Sequence, residues 1–511
     1  MVALLLALAC SPRPRPLPPG DPSRPDIVLI SVDTLRADHL SAWGYSRPTS
    51  PFLDQLAAQG TRYAHARSPS PWTLPAHTTL LTGQLPWTHR VTEDRFRLAT
   101  STPVLPEALQ AGGYRTGGFV STLYVSRIFG FERGFDRFED FGIHDEKRNL
   151  GAKVSFDRVV DEALGWWAEQ PAGQPVFLFL HTYDAHYAYE PPEPFASRFD
   201  RPPQPGDARY KNYFHYLDQP LDPDQLQHQV AQYDEAIAWI DHQLHRLDQR
   251  LQQSGRTVRW VLTSDHGEEF GERGSWGHAH TLNAEQLHIP LIIAERGGQS
   301  LPRGRVVEGT VGLQDLAPTI ASWVPGAGAL QSEGVVLGPE EPPERAFPAE
   351  TTRFRSNRVG LYEGGLRLEW NLLDDQAWLY DLRSDPAERT DLAPQLRDEV
   401  LRLQARAIKL AGQPWVVERE GVVSSKGSGR VLAETVGKAR SLGAGQRFQV
   451  LPADASLYFQ PPGEARAGPF QAPSGAPQGA GLRYEGEAGP GGVELDESTR
   501  KALEALGYIQ E

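Results

Sequence analysis

Residues 70–83 read SPWTLPAHTTLLTG, and three side chains in that run could do chemistry together. Thr73 offers a hydroxyl nucleophile, Pro75 follows two positions later, and His77 two after that. Proline is tolerated in a first helical turn, where its missing N–H has no intrahelical partner to lose. The free backbone N–H groups at such an end, with the helix dipole, favour a bound oxyanion. The pattern predicts Thr73 at the start of a helix, where it would serve as a metal-activated nucleophile if the rest of the chain supplies a metal site. A hydroxyl is weak at its own pKa; a divalent cation lowers that pKa and polarises a phosphoryl or sulfuryl oxygen.

Ligand types for such a cation recur along the chain. Asp33 closes DIVLISVD, the pair Asp265-His266 closes TVRWVLTSDH, and HTYDAHYAY carries His181, Asp184 and His186. Two further histidines, His278 and His280, lie in GSWGHAHTL. Singly, an Asp after a strand is often a helix cap, and a lone His is usually satisfied by hydrogen bonds. Jointly, these residues supply the donors of a divalent cation site.

Bringing them together requires a particular scaffold. The β-branched run at 26–35 reads as a strand buried on both faces, and the runs at 176–184, 257–268 and 288–295 look similar. Helical spacing falls between them at 51–60, 105–113 and 223–255. Alternation of strand and helix predicts an α/β fold: a doubly wound, mostly parallel sheet flanked by helices. The polar residues then gather at the carboxyl edge, where such sheets bind ligands. Residues 358–393 have short alternating strands and 396–412 a helical pattern, which predicts a smaller C-terminal antiparallel sheet plus helix subdomain. The expected division is 26–340 for the catalytic domain, 341–412 for the subdomain, 413–495 for a low-complexity linker and 496–511 for a terminal helix.

Composition bounds the partners. The chain has 511 residues, 39% hydrophobic, with a net charge of −14. That supports a packed core and argues against nucleic acid, whose phosphates demand basic surface. The opening MVALLLALAC is too short to span a bilayer but suits a secretion signal ending in a lipid-modifiable Cys10, followed by a Pro-rich tether to residue 25. The expectation is an exported, periplasmic or outer-membrane-anchored bacterial lipoprotein that meets the membrane only through that anchor. Cys10 is the sole cysteine, so no internal disulfide can form.

Five segments in order, DIVLISVDTLRADHLSAWGY, PSPWTLPAHTTLLTG, TSDHGEEFGERGSWGHAHTL, QDLAPTI and LYDLRSDPAERTDLA, resemble the sulfatase family of the alkaline phosphatase superfamily. The resemblance implies Asp33, Asp265 and His266 as metal ligands together with Thr73, which falls on the nucleophile position of the family's C/S-x-P-x-R motif. It implies catalytic roles for Thr73, His278 and His186, with His278 or His280 protonating the leaving oxygen. His77, Asp184 and His280 are the implied substrate contacts. Glu268 and Glu269 read as a solvated loop, and Trp72 and Trp276 as pocket walls.

The departures from the family pattern are specific. Threonine cannot be oxidised to formylglycine, His77 stands where the motif has arginine, and the segment GGFVSTLYVS lacks the family's Lys-x-His. Val32-Asp33 and Asp265-His266 replace the usual Asp-Asp and Asp-Asn. Fewer oxygen ligands and an added imidazole shift the expected metal from Ca²⁺ toward Zn²⁺ or Mn²⁺. The expected activity is hydrolysis of a phosphodiester, phosphonate or sulfate ester, on a small-molecule, glycan or lipid substrate, through a covalent threonyl intermediate. An envelope phosphoethanolamine-type transferase and a non-catalytic scaffold are the rival readings.

Overall fold

The computed structural model describes residues 21 and 23–411, with breaks at 95, 143–153, 203, 205–220, 275, 352, 354–357 and 373–375, and strand segments between 415 and 492. The signal-like segment with Cys10 and the helix expected over 496–511 lie outside the described residues.

An eight-stranded sheet forms the centre. Its strands are Asp26–Val32 (β1), Gly60–Tyr63 (β2), Arg115–Phe119 (β3), Arg137–Glu139 (β4), Val176–Thr182 (β5), Val258–Ser264 (β6), Leu291–Arg296 (β7) and Arg305–Val307 (β8). The spatial order is β8-β2-β7-β6-β1-β5-β3-β4. Strands β6, β1, β5, β3 and β4 run parallel, whereas β7 pairs antiparallel with both β6 and β2. The 288–295 run therefore differs from the other three. It is equally apolar, and burial on both faces conceals strand direction.

Alternation along β1 divides the core. Val28, Ile30 and Val32 pack toward helices Pro51–Ala58 (α1), Phe156–Trp167 and Pro223–Gln252. Ile27 and Leu29 face the opposite layer, which contains Thr73–Thr82 (α2), Leu105–Ala111 (α3) and Leu316–Ser322. Residues α2, unusually, are all buried, from Thr73 to Thr82. Its threonines are accommodated because Thr78 and Thr82 donate back to Leu74 O and Thr78 O at 2.8 and 2.6 Å. Gly83 closes the helix at φ 73°, a left-handed turn that only glycine adopts without strain.

A small antiparallel sheet follows: Phe347–Thr351 (β9), Arg358–Glu363 (β10), Leu366–Asn371 (β11) and Ala377–Asp381 (β12). Helix Arg397–Ala411 covers it through Val400, Leu403 and Ala407, which share a cluster with Leu361, Leu368, Trp370 and Leu379. Leu85 and Trp87, just beyond α2, complete that cluster and dock the small sheet onto the catalytic layer. The linker expected over 413–495 is corrected: it carries antiparallel strands, among them Trp415–Arg419, Val422–Lys426, Arg430–Thr435, Lys438–Leu442, Ser456–Gln460 and Ala467–Gln471. The Gly, Pro and Ala of the region obscure short alternating runs between them. No helix among the described residues is long and apolar enough to cross a membrane.

Candidate active site

Register assembles the site. Ser31 pairs with His181 and Val32 with Thr182 across β1 and β5, while Val32 pairs with Ser264 across β1 and β6. The next residues, Asp33 and Asp265, therefore leave the sheet side by side at its carboxyl edge. Asp33 N–H is held by Thr182 O at 2.9 Å, and Asp265 Oδ1 accepts from Thr34 N–H at 3.3 Å and His266 N–H at 2.9 Å.

Asp33, Asp265 and His266, all fully buried, present donor atoms within 4.8 Å of one another. His266 Nδ1–H donates to Gly267 O at 2.9 Å, which leaves the Nε2 lone pair pointing into the cluster, 3.3 Å from Asp265 Oδ2. Thr73 Oγ1 heads α2 and lies 3.4 Å from Asp33 Oδ2 and 3.4 Å from His266 Nε2. The structure thus brings together every residue implied as a metal ligand.

The donor set fits a divalent cation. Asp265 Oδ2 is buried without a hydrogen-bond partner among the described residues, flanked by His266 Nε2 and by His77 Nδ1 at 3.5 Å. Burial, then the Asp33 charge, pushes the Asp265 carboxyl up to about 7. Burial holds the neighbouring His266 and His181 down to about 4, so the imidazoles are neutral and offer lone pairs. Two adjacent buried carboxylates among neutral rings are a poor resting state for protein alone and a suitable one for a dication.

His278 and Glu268 form the next layer. His278 Nδ1 lies 2.9 Å from Glu268 Oε1, and its ring centroid is 4.5 Å from that of His266. Glu268 Oε2 accepts from Tyr189 Oη at 2.9 Å. Burial, with His280 and Arg353 nearby, pushes the His278 imidazole down to about 3. His186 packs edge-on against His278 at 5.0 Å, but Nδ1–H donates to Tyr187 O and Nε2 accepts from Tyr183 Oη, both at 2.9 Å. Its ring packs against His278 with both nitrogens engaged by the two neighbouring tyrosine residues.

The remaining candidates are placed by partners from distant segments. His77 is fully buried: Nδ1–H donates to Thr73 O at 2.9 Å and Nε2 accepts from Ser31 Oγ at 3.0 Å. It braces the helix start from behind. Asp184 accepts from the Trp239 indole at 2.8 Å and from Phe156 N–H at 3.0 Å, so it ties two helices to the β5 loop. His280 is held by His278 O at 2.7 Å and Glu269 Oε2 at 3.0 Å. Glu268 and Glu269 are inside, at 0% and 1% exposure, because each has a histidine, and a hydroxyl or amide, to satisfy it. Trp72 is covered by Arg353, and Trp276 belongs to the core. His181, one of the candidate donors to which the motifs gave no specific role, lies with Nε2 3.3 Å from Asp33 Oδ2. Its pairing opposite Ser31 is tertiary information.

The Sulfatase family profile matches residues 25–327. The multifunctional alkaline phosphatase superfamily protein PehA of Trinickia caryophylli is 25% identical over 62% of this chain and 77% of its own. The choline-sulfatase of Rhizobium meliloti is 25% identical over 74% and 84%. The phosphonate monoester hydrolase of Agrobacterium radiobacter shares the fold, with a TM-score of 0.60 and 22% identity over 76% of this chain and 95% of that one. With the profile spanning more than half the chain and the site at the sheet's carboxyl edge, this protein belongs to the sulfatase family, among the ester hydrolases of the alkaline phosphatase superfamily.

Proposed function

We propose that this chain hydrolyses a phosphodiester or phosphonate monoester through a covalent intermediate on Thr73. The observation that carries the reading is Thr73 Oγ1 at the head of α2, 3.4 Å from both Asp33 Oδ2 and His266 Nε2. Threonine favours a phosphorus centre over formylglycine chemistry, and the names of PehA and the phosphonate monoester hydrolase are consistent with that choice.

Asp33, Asp265 and His266 would hold the cation; the imidazole and the small oxygen count favour Zn²⁺ or Mn²⁺ over Ca²⁺. Such an ion supplies the charge that acidifies a hydroxyl and polarises an ester oxygen. Thr73 Oγ attacks phosphorus, the Oγ–P bond forms and the bond to the leaving oxygen breaks. His278, neutral and oriented by Glu268, takes up the Thr73 proton at Nε2 and passes it to the leaving oxygen. Water then attacks the threonyl ester, gives a proton to the same nitrogen, and Thr73 Oγ recovers it as the product leaves. The N-terminal run ending at Cys10 supports an exported lipoprotein, which labelling with a radioactive fatty acid in cells would test.

The test is a comparison of aryl phosphodiester, phosphonate monoester, phosphate monoester and sulfate substrates on metal-loaded wild type and Thr73→Ala. Loss of phosphodiester and phosphonate turnover with metal still bound is the expected result. Full activity in the variant excludes the mechanism, and Thr73-dependent turnover of sulfate alone excludes the substrate class.

A further inference from the structure

Strand β9 belongs to the small C-terminal sheet, yet its end is stitched to both loops of the active site. Glu350 N–H donates to Pro69 O at 2.9 Å, and Thr351 Oγ1 donates to Ala279 O at 2.7 Å. Ala279, between His278 and His280, donates its own N–H to Pro71 O at 2.9 Å. Arg353 follows two residues after Thr351 and is delivered to this junction.

There the guanidinium carbon lies over Trp72, the residue before the nucleophile, 4.2 Å from the ring centroid. Nη2 donates to Tyr124 Oη at 2.9 Å, and Nη1 pairs with Asp94. The side chain is only 6% exposed. Tyr124 stands edge-on to Trp72 at 5.7 Å, so the cation is clamped between two rings and a carboxylate. Its field reaches His278, where it adds to the forces that keep that imidazole neutral.

Burying a permanent charge costs several kcal/mol before pairing returns any of it. As an anchor for one strand end Arg353 is an expensive choice, since β9 is already tied by Glu350 and Thr351. As an oxyanion partner it is suitable: it is permanently charged and carries five N–H donors. The segment 117–126, which ends strand β3 beside the site, has no Lys, Arg or His, and it contributes Tyr124 to Arg353 instead.

We propose that Arg353 binds the anionic group of the ester substrate beside Thr73, supplying from the C-terminal sheet the cation that the catalytic segment lacks. The assignment rests on the reading of the Thr73 pocket as an ester-cleaving site. It makes the small sheet part of the active site rather than an appendage, and it makes a negatively charged ester the preferred substrate over a neutral one.

The experiment uses the metal-loaded full chain with Arg353→Gln and Arg353→Lys. Binding of inorganic sulfate and phosphate is measured by calorimetry. Turnover of a methyl aryl phosphate monoanion is compared with that of the neutral dimethyl aryl phosphate, which shares its leaving group. Arg353→Gln is expected to weaken sulfate and phosphate binding at least tenfold and to lower kcat/KM on the anionic diester about a hundredfold. The neutral triester should change less than threefold, and Arg353→Lys should recover part of the loss. Unchanged anion binding, or equal losses on both substrates, would overturn the assignment. Should Arg353→Gln fail to fold, Tyr124→Phe loosens the guanidinium without removing its charge, and a threefold or greater weakening of sulfate binding is expected; no weakening counts against the proposal. Anion binding does not require a nucleophile, so it still reads Arg353 if Thr73→Ala proves active and the covalent mechanism fails.

Discussion

His278 Nδ1 and Glu268 Oε1 lie 2.9 Å apart with both side chains buried, and Tyr189 Oη closes the other Glu268 oxygen at 2.9 Å. A carboxylate in that position fixes the tautomer, leaving Nε2 as the nitrogen turned away from Glu268 and, on the proposed mechanism, the one that exchanges protons with substrate. Glu268→Gln keeps the shape and the tyrosine contact but removes the charge. The expected outcome is a 10- to 100-fold fall in kcat, by order of magnitude, with KM and metal content unchanged. A change confined to KM would show that Glu268 shapes the pocket instead of orienting His278.

The two carboxylates of the metal cluster predict a sign change. Asp265→Asn keeps Oδ1 as the acceptor for Thr34 and His266 N–H but removes one of two adjacent buried charges. Metal-free variant should be at least as stable as metal-free wild type, because like-charge repulsion is relieved. Added Zn²⁺ or Mn²⁺ at a hundredfold excess over Kd stabilises a binding protein by about 2.7 kcal/mol, and the variant should lose most of that gain. Melting curves with and without metal, beside elemental analysis, read both effects. Equal metal-induced stabilisation in both proteins would remove Asp265 from the ligand set.

His77 braces the nucleophile from behind, with Thr73 O on one nitrogen and Ser31 Oγ on the other. His77→Ala opens a cavity and orphans buried polar groups, at a cost of about 2–4 kcal/mol. His77→Arg, which restores the family's motif residue, should destabilise further, since the ring is enclosed by Phe131, Phe179 and His181. Chemical denaturation measures both. A stable, newly active arylsulfatase in His77→Arg would show that the side chain can reach substrate.

Glu269 gives the acid limb of stability. His280, Thr281 and Asn283 all bond its carboxylate, and these contacts outweigh burial to hold it down to about 2 from an ordinary 4.5. A depressed acid contributes stability above its unfolded pKa and loses it as pH falls through the folded one. Wild type should therefore lose stability between about pH 4.5 and 2 through this residue. Glu269→Gln should be less stable at pH 7 by about 2 kcal/mol and show a shallower acid limb. Parallel curves for the two proteins would assign the acid sensitivity elsewhere.

The α/β class was legible along the chain because buried parallel strands are continuous apolar runs and amphipathic helices have a 3.6-residue period. So were Asp33, Thr73, Asp265 and His266: strand ends and a helix start with Pro75 are local events, and chemistry-bearing residues concentrate there. Four other candidates have surroundings that no local pattern gives. Whether His77, Asp184, His186 or His280 meets substrate depends on what fills their hydrogen bonds, and those partners lie on Ser31, Trp239, Tyr183 and Glu269. Charge misled in the same way at Glu268, which looks like solvated loop until His278 and Tyr189 come to it. Local pattern determines which residues can stand at an edge; only the packing of distant segments decides which of them face the cavity. That is why the placing of His181 against Asp33 by a strand pairing, and of Arg353 by a second sheet, appears only in the structure.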